Sequence, residues 1–403
     1  MAGIGRLAAV TTEHYSPKRF FRDVPAHLLA RYFKQKTLLA DFNFASLFEA
    51  EIDPLYTAWE ALAENQKIDS EQDFKEIDAL ACEGGIRAIL DDAEWYGEED
   101  VLLAGMRSLK SFHEKAFWIF LEHQKYWFAA NAFFHADSIR LRFWRKRINL
   151  PKSPARVDSE SVQALEKNLV NFFHDREGRG KNCKVDCYKR GALDYFFAYP
   201  EDYPQARMVW HKQSLQRQLE TPAFEIIFIF NPGLGTLELY LDGTRKVIPE
   251  LQTIFAGAIL DFELTEDEQS NRVYDLAPLK SANMVFKYSA DCGITNVAVK
   301  KLRMKILGTN QKMTMEADTT NNRLAIYEMM ESLNKSFPVS SMVISQVGLV
   351  VTFAPAANRN KPKTRTFDIS WPNSCSLKYD DNDIAIRKML VDSGIEPRWP
   401  GQS

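Results

Sequence analysis

Phe224-Glu225-Ile226-Ile227-Phe228-Ile229-Phe230-Asn231-Pro232-Gly233-Leu234-Gly235-Thr236-Leu237-Glu238-Leu239-Tyr240-Leu241 decides the fold class. Residues 224–230 are nearly continuous in apolar β-formers, which suits a strand at the centre of a sheet. Residues 231–235 supply turn chemistry. Leu237, Leu239 and Leu241 then alternate with Thr236, Glu238 and Tyr240, so the second strand has one buried face. A helix follows, with Leu251, Ile254, Phe255, Ala258 and Ile259 on one side. The unit is strand, strand, helix.

The same order returns twice downstream. Strands over 299–307 and 313–317 precede a helix holding Ile326, Met330 and Leu333. Val343, Val347, Leu349, Val351 and Phe353 then mark one strand face, and Phe367, Ile369 and Trp371 mark its partner. A helix from about Asp381 ends at Gly394, and the loop 358–363 inside this last hairpin is basic and polar. The three units share element order and not residues, so duplication is not shown.

Upstream the pattern is helical. Asp23-Val24-Pro25 and Asp53-Pro54 open helices, with Pro where its missing N–H costs little. Ser70-Glu71-Gln72-Asp73 resembles a capping box and predicts a helix that starts there and ends at Gly84-Gly85. Residues 112–136, aromatic on most sides, predict one long buried helix. Asp158 or Ser159 caps a helix to about Asp175, and Gly178-Arg179-Gly180 ends the helical half. Leu193 to Tyr199, closed by Pro200, reads as a strand. The expectation is an α+β chain. An all-helical domain over 1–190 precedes an antiparallel sheet domain over 191–403 with three strand–strand–helix units. Helices on one sheet face leave the other open for binding.

The 403 residues are 45% hydrophobic and 26% charged, an ordinary globular composition. The net charge of −3 points to neither nucleic acid nor membrane. Locally the balance differs: residues 41–100 hold 18 acids against three bases, and 140–190 hold 14 bases against six acids. Such polarity hints at a charged partner, or at two segments that neutralise each other. Five cysteines, an odd and sparse set, suggest reduced thiols in a cytoplasmic protein. No apolar run is long enough for a membrane span.

Motifs for chemistry are incomplete. Gly233-x-Gly235 is a hairpin turn and Gly3-x-Gly5 has no strand before it, so neither cradles a phosphate. Cys183 and Cys187 lack a second ligand pair, and His113, His123 and His135 do not share a helix face, so no metal or other cofactor is expected. Asp194, Glu201 and Asp202 cluster near a strand end, where paired acids could do acid–base work or simply form a polar turn. The basic features carry more. Arg142, Arg145 and Lys146 surround Trp144, and Arg179 and Lys181 lie among glycines that let an anion approach. Lys301, Arg303 and Lys305 project from one strand face while Leu302, Met304 and Ile306 project from the other. These eight basic residues are the expected anion-binding set, with a solvated outer face as the plain alternative.

Four segments add a resemblance. They are Glu177-Gly178-Arg179-Gly180, Tyr195-Phe196-Phe197-Ala198-Tyr199-Pro200-Glu201-Asp202-Tyr203, Pro222-Ala223-Phe224-Glu225-Ile226 and Phe367-Asp368-Ile369-Ser370-Trp371-Pro372-Asn373-Ser374. They resemble an uncharacterised family of bacterial proteins whose members resemble accessory genes of defence or mobile islands. The resemblance implies a bacterial cytoplasmic protein acting beside a partner gene product in antiviral defence. It carries over no catalytic residue. The leading expectation is a non-enzymatic recognition or adaptor protein for an anionic partner, nucleic acid above all, with a protein partner on the helical half. The alternatives are a protein-interaction scaffold, a divergent hydrolase or nuclease at Asp194, Glu201 and Asp202, and a small ligand in an aromatic cavity.

Overall fold

The computed structural model describes residues 15–46, 52–139, 144–211, 214–243, 245–264, 271–334, 339–355 and 362–396. The chain divides into two units, residues 1–139 with 189–191, and residues 140–188 with 192–403. The division falls after the last helix of the bundle, earlier than the 1–190 and 191–403 domains read from the sequence.

The first unit is helical. Its elements are α1 (Pro17–Asp23), α2 (Ala26–Gln35), α3 (Asp53–Glu60), α4 (Glu64–Leu80), α5 (Glu83–Trp95), α6 (Glu99–Met106), α7 (Phe112–Glu122) and α8 (Trp127–Ser138). Its core is aromatic: Phe20 stacks on Phe74 at 4.8 Å, and Tyr32 packs on Phe74 at 5.0 Å. Fully burying each such ring contributes roughly 2–3 kcal/mol. Two details differ from the sequence reading. Ser70 lies inside α4, where its hydroxyl donates to Lys67 O and accepts from Trp59 Nε1 at 2.9 Å. Gly84-Gly85 belong to the first turn of α5, where the Cys82 sulfur accepts from Gly85 N–H, and position 85 takes glycine because a Cβ there would stand 2.3 Å from Leu80 O. Residues 112–136 form two helices. His123 leaves helical geometry at φ −134°, and the polar Glu122-His123-Gln124-Lys125 run makes the break.

Many acids of this unit are neutralised inside it. Asp73 accepts from Tyr32 Oη and pairs with Lys36 at 2.7 Å. Asp78 pairs with Arg19 at 2.6 Å and with His113 at 3.0 Å. Asp91 meets Arg87 at 2.6 Å and Arg190 at 2.8 Å. Asp92, 4% exposed, differs: burial pushes its carboxyl from 3.8 up to about 7, against a weak pull from Lys125.

The second unit begins with β1 (Trp144–Arg147) and α9 (Ser159–Glu177), whose N-cap Asp158 accepts from Ser161 N–H at 2.9 Å. It continues with β2 (Cys183–Arg190, whose last two residues belong to the first unit), β3 (Leu193–Pro200), β4 (Gln205–His211), β5 (Ser214–Glu220), β6 (Ile226–Asn231), β7 (Thr236–Leu241) and α10 (Ile248–Leu260). It closes with β8 (Ile294–Ile306), β9 (Lys312–Glu316), α11 (Ala325–Asn334), β10 (Met342–Phe353), β11 (Lys363–Ser370), β12 (Ser374–Cys375) and α12 (Asp381–Asp392). The chain is α+β, and each of the three strand pairs read from the sequence is antiparallel and followed by its helix.

The first sheet has the order β1-β7-β6-β3-β2 and the second β12-β11-β10-β8-β9. In the first, Phe196, Phe228 and Leu239 pack against α9 and α10. Tyr195, Phe197, Ile227 and Ile229 point to the opposite face, and they are buried too. In the second, Leu302, Met304 and Val347 pack with Ile326 of α11 and Met389 of α12. Its other face presents Arg303 and Lys305 to solvent. Only the second sheet therefore has the open face expected of a half-covered antiparallel sheet. The sheets meet where Lys146 N–H donates to Asn373 O and Ser374 Oγ donates to Trp144 O, both at 2.9 Å.

Folded Asp92 holds its proton to about 7, whereas the unfolded carboxyl releases it near 3.8. The folded state binds the extra proton in that window, so stability falls as pH rises from about 4 to 7, by a few kcal/mol. Asp92→Asn removes this decline. Thermal unfolding should show variant and parent alike at pH 4 and the variant more stable at pH 8; an equal gap at both pH values contradicts the assignment.

Candidate anion-binding face of the second sheet

β8 carries the alternation that makes the face. Leu302 and Met304 point into the core, and Lys301, Arg303 and Lys305 point out, because successive strand side chains take opposite faces. Register places Lys301 opposite Glu316, Arg303 opposite Thr314 and Lys305 opposite Lys312 on β9. On β10 the same residues face Gly348, Gln346 and Val343.

The three basic side chains are not equivalent. Lys301 reaches across β10 to Asp368 on β11, at 2.9 Å. Gly348 stands between them, opposite Lys301 on one side and Asp368 on the other. A Cβ there would lie 3.0 Å from both Asp368 Oδ1 and Lys301 Cβ, so glycine is what lets the pair close over the strand. Lys300 meets Glu316 at 3.4 Å. Arg303, Lys305 and Lys312 are exposed, and none of them has an ion-pair partner among the described residues. Lys305 and Lys312 stand directly opposite each other, a like-charge cross-strand pair that costs a few tenths to about 1 kcal/mol. An anion placed over the pair relieves that repulsion. Exposed Val343, opposite Lys305, and exposed Leu307 at the end of β8 add apolar surface.

The other basic residues of the expected set lie elsewhere. Arg142 lies outside the described residues. Arg145 donates to Trp144 O at 2.5 Å and to Ser374 Oγ at 3.3 Å. Lys146 is 6% exposed and forms a buried ion pair with Glu396. Arg179 is half-buried, holds Glu177 at 2.6 Å and Asp202 at 3.0 Å, and lies 4.0 Å over the Phe224 ring. Lys181 is exposed beside it. The eight residues therefore do not form one site. Lys301, Arg303 and Lys305 share a face, while Lys146 and Arg179 have internal acids that already occupy their donors.

Asp194 sits at the start of β3, and Glu201 and Asp202 lie beyond its end, about 20 Å away at strand rise. Asn182 Nδ2 donates to Glu201 at 2.5 Å, and Asp202 holds Arg179. The three acids do not converge. Cys183 and Cys187 lie partly within the core of the first sheet, and burial pushes both thiols up to about 12. They are held as thiols, which are poor metal ligands. His113 bonds Asp78 on α4, and His123 packs on Trp118 at 4.6 Å. Among the described residues no three His, Cys, Asp or Glu side chains gather as a metal site.

Sequence reasoning missed Lys312. The signal was present: a hairpin that pairs Arg303 with Thr314 must pair Lys305 with Lys312. Among the described residues no helix is long and apolar enough to cross a membrane. No protein-family model matches the chain, and no curated protein matches it.

Lys146→Met leaves the Glu396 carboxylate buried without its cation, which costs roughly 3–5 kcal/mol. The expected result is a lower unfolding midpoint with unchanged affinity for a polyanion such as heparin. Lost polyanion affinity in a variant that still unfolds like the parent contradicts this placement.

Proposed function

We propose that the chain is a non-enzymatic recognition protein that binds an anionic partner, nucleic acid in particular, through the outer face of the second sheet. The observation that carries the reading is the trio Arg303, Lys305 and Lys312, exposed on one sheet face without acidic partners among the described residues. Guanidinium and ammonium groups at strand spacing suit a phosphate backbone. The resemblance of the segments at 177–180, 195–203, 222–226 and 367–374 supports a bacterial cytoplasmic protein in host defence.

A second reading is an adaptor that docks a protein through the helical unit. It is favoured by Val101 and Leu103 of α6, exposed beside Glu99 and Asp100, with Trp95 and Tyr96 also exposed at the end of α5. The two readings are compatible, since each uses a different unit.

Fluorescence anisotropy with a labelled oligonucleotide across a salt series tests the first reading. Affinity should fall linearly on a log–log plot, and the Arg303→Ala, Lys305→Ala, Lys312→Ala variant should lower the slope by roughly two to three. An unchanged slope in that variant, or affinity that ignores salt, removes the reading.

A further inference from the structure

β4 and β5 form a sheet of their own, and no third strand joins them among the described residues. Register pairs Ala206 with Leu219, Met208 with Arg217 and Trp210 with Leu215. Directly opposed residues share a face, so this ribbon has one apolar face, interrupted only by Arg217. That face is uncovered: Met208 is 61% exposed, Trp210 72%, Leu215 49% and Leu219 73%. The opposite face, with Arg207, Gln216 and Gln218, is exposed as well. An isolated hairpin is marginally stable in water, and clustered apolar side chains in solvent mark a contact surface.

Charge and size say what the contact is. From Gln205 to Leu219 the sequence holds no acid, while Arg207, Lys212 and Arg217 are basic. Glu220, at the foot of the ribbon, is already paired with Arg207 at 3.3 Å. Among the described residues the ribbon thus sets exposed Arg217 within its apolar face and leaves its one acid neutralised, a surface that does not repel a polyanion. Seven residues per strand give a length of about 23 Å, and two strands with side chains a width of about 10 Å. Laid flat on a second copy, such a face covers on the order of 200 Å², against about 800 Å² per partner in a stable complex. A groove that encloses the ribbon uses both faces and both edges. The major groove of duplex DNA, about 12 Å wide, admits a two-stranded ribbon.

The geometry points to insertion of the β4–β5 ribbon into a groove of duplex DNA, with Trp210 and Leu215 against the base pairs and Arg217 near the phosphates. This deepens the proposed function and rests on it, by assigning the polyanion as a duplex and adding a second contact to the basic sheet face.

The test uses the full chain with a short labelled DNA duplex and, separately, heparin. Trp210→Ala with Leu215→Ala should weaken duplex binding roughly tenfold or more, while heparin affinity and far-ultraviolet circular dichroism stay as in the parent. Arg217→Ala alone, a surface change that spares the apolar face, should weaken duplex binding severalfold. Duplex affinity within twofold of the parent in both variants overturns the inference. So does finding that the ribbon variants lose binding to anionic vesicles, or self-association on size exclusion, in place of duplex binding. If the parent binds heparin through Arg303, Lys305 and Lys312 yet its duplex affinity ignores the ribbon, the inference falls and the proposed function stands. If the parent binds no polyanion, the proposed function falls and takes the ribbon assignment with it.

Discussion

The second unit depends on a buried pair of opposite charges, Arg387 of α12 and Glu238 of β7. Arg387 Nη1 donates to Glu238 Oε1 at 2.8 Å, and its other nitrogens donate to Leu377 O and Lys378 O. The guanidinium also lies over Tyr379, 4.3 Å from the ring centre. Burial pushes the Glu238 carboxyl up, but Arg387 and Lys146 outweigh it and hold the group below the ordinary carboxylate range. A charge left unpartnered here would cost several kcal/mol, so the elements carrying these residues must be in place together. Lys146 of β1 meets Glu396 after α12 in the same way. The last helix of the second sheet is thereby tied to the edge half of the first.

That tie explains which basic surface stays open to solvent. The first sheet has both faces buried, and several basic residues near it are held by acids. Lys184 holds Glu166 at 3.0 Å, and Arg179 holds Glu177 and Asp202. In the second sheet, α11 and α12 cover one face only. Lys301 is taken by Asp368, and the cations beyond it are not taken. A basic run in sequence is therefore a poor guide to a basic surface; strand alternation and register are better ones.

Alternation made 301–306 and 237–241 legible, because solvent on one face and core on the other impose a period of two. The Gly178 helix end was legible because its φ of 68° suits glycine. The pairs that assign each cation were not legible. Lys146 and Glu396 are 250 residues apart, Arg190 and Asp91 are 99 apart, and no local pattern links them. The break at His123 escaped notice because α7 and α8 are apolar on several sides, which masks the short polar run between them; the seam before α5 escaped because the two glycines there read as a helix end. The β4–β5 ribbon escaped for the opposite reason. Its alternation of Ala206, Met208 and Trp210 is short and polar-flanked, and its apolar face meets no core.

We propose that the open face of β8 and β9 holds polyanions. Hydrogen–deuterium exchange with and without a saturating oligonucleotide tests it most directly. Peptides covering 301–316 should gain protection, with the first sheet and its helices unchanged. Protection confined to the helical unit, or none anywhere despite measurable binding, would contradict the account.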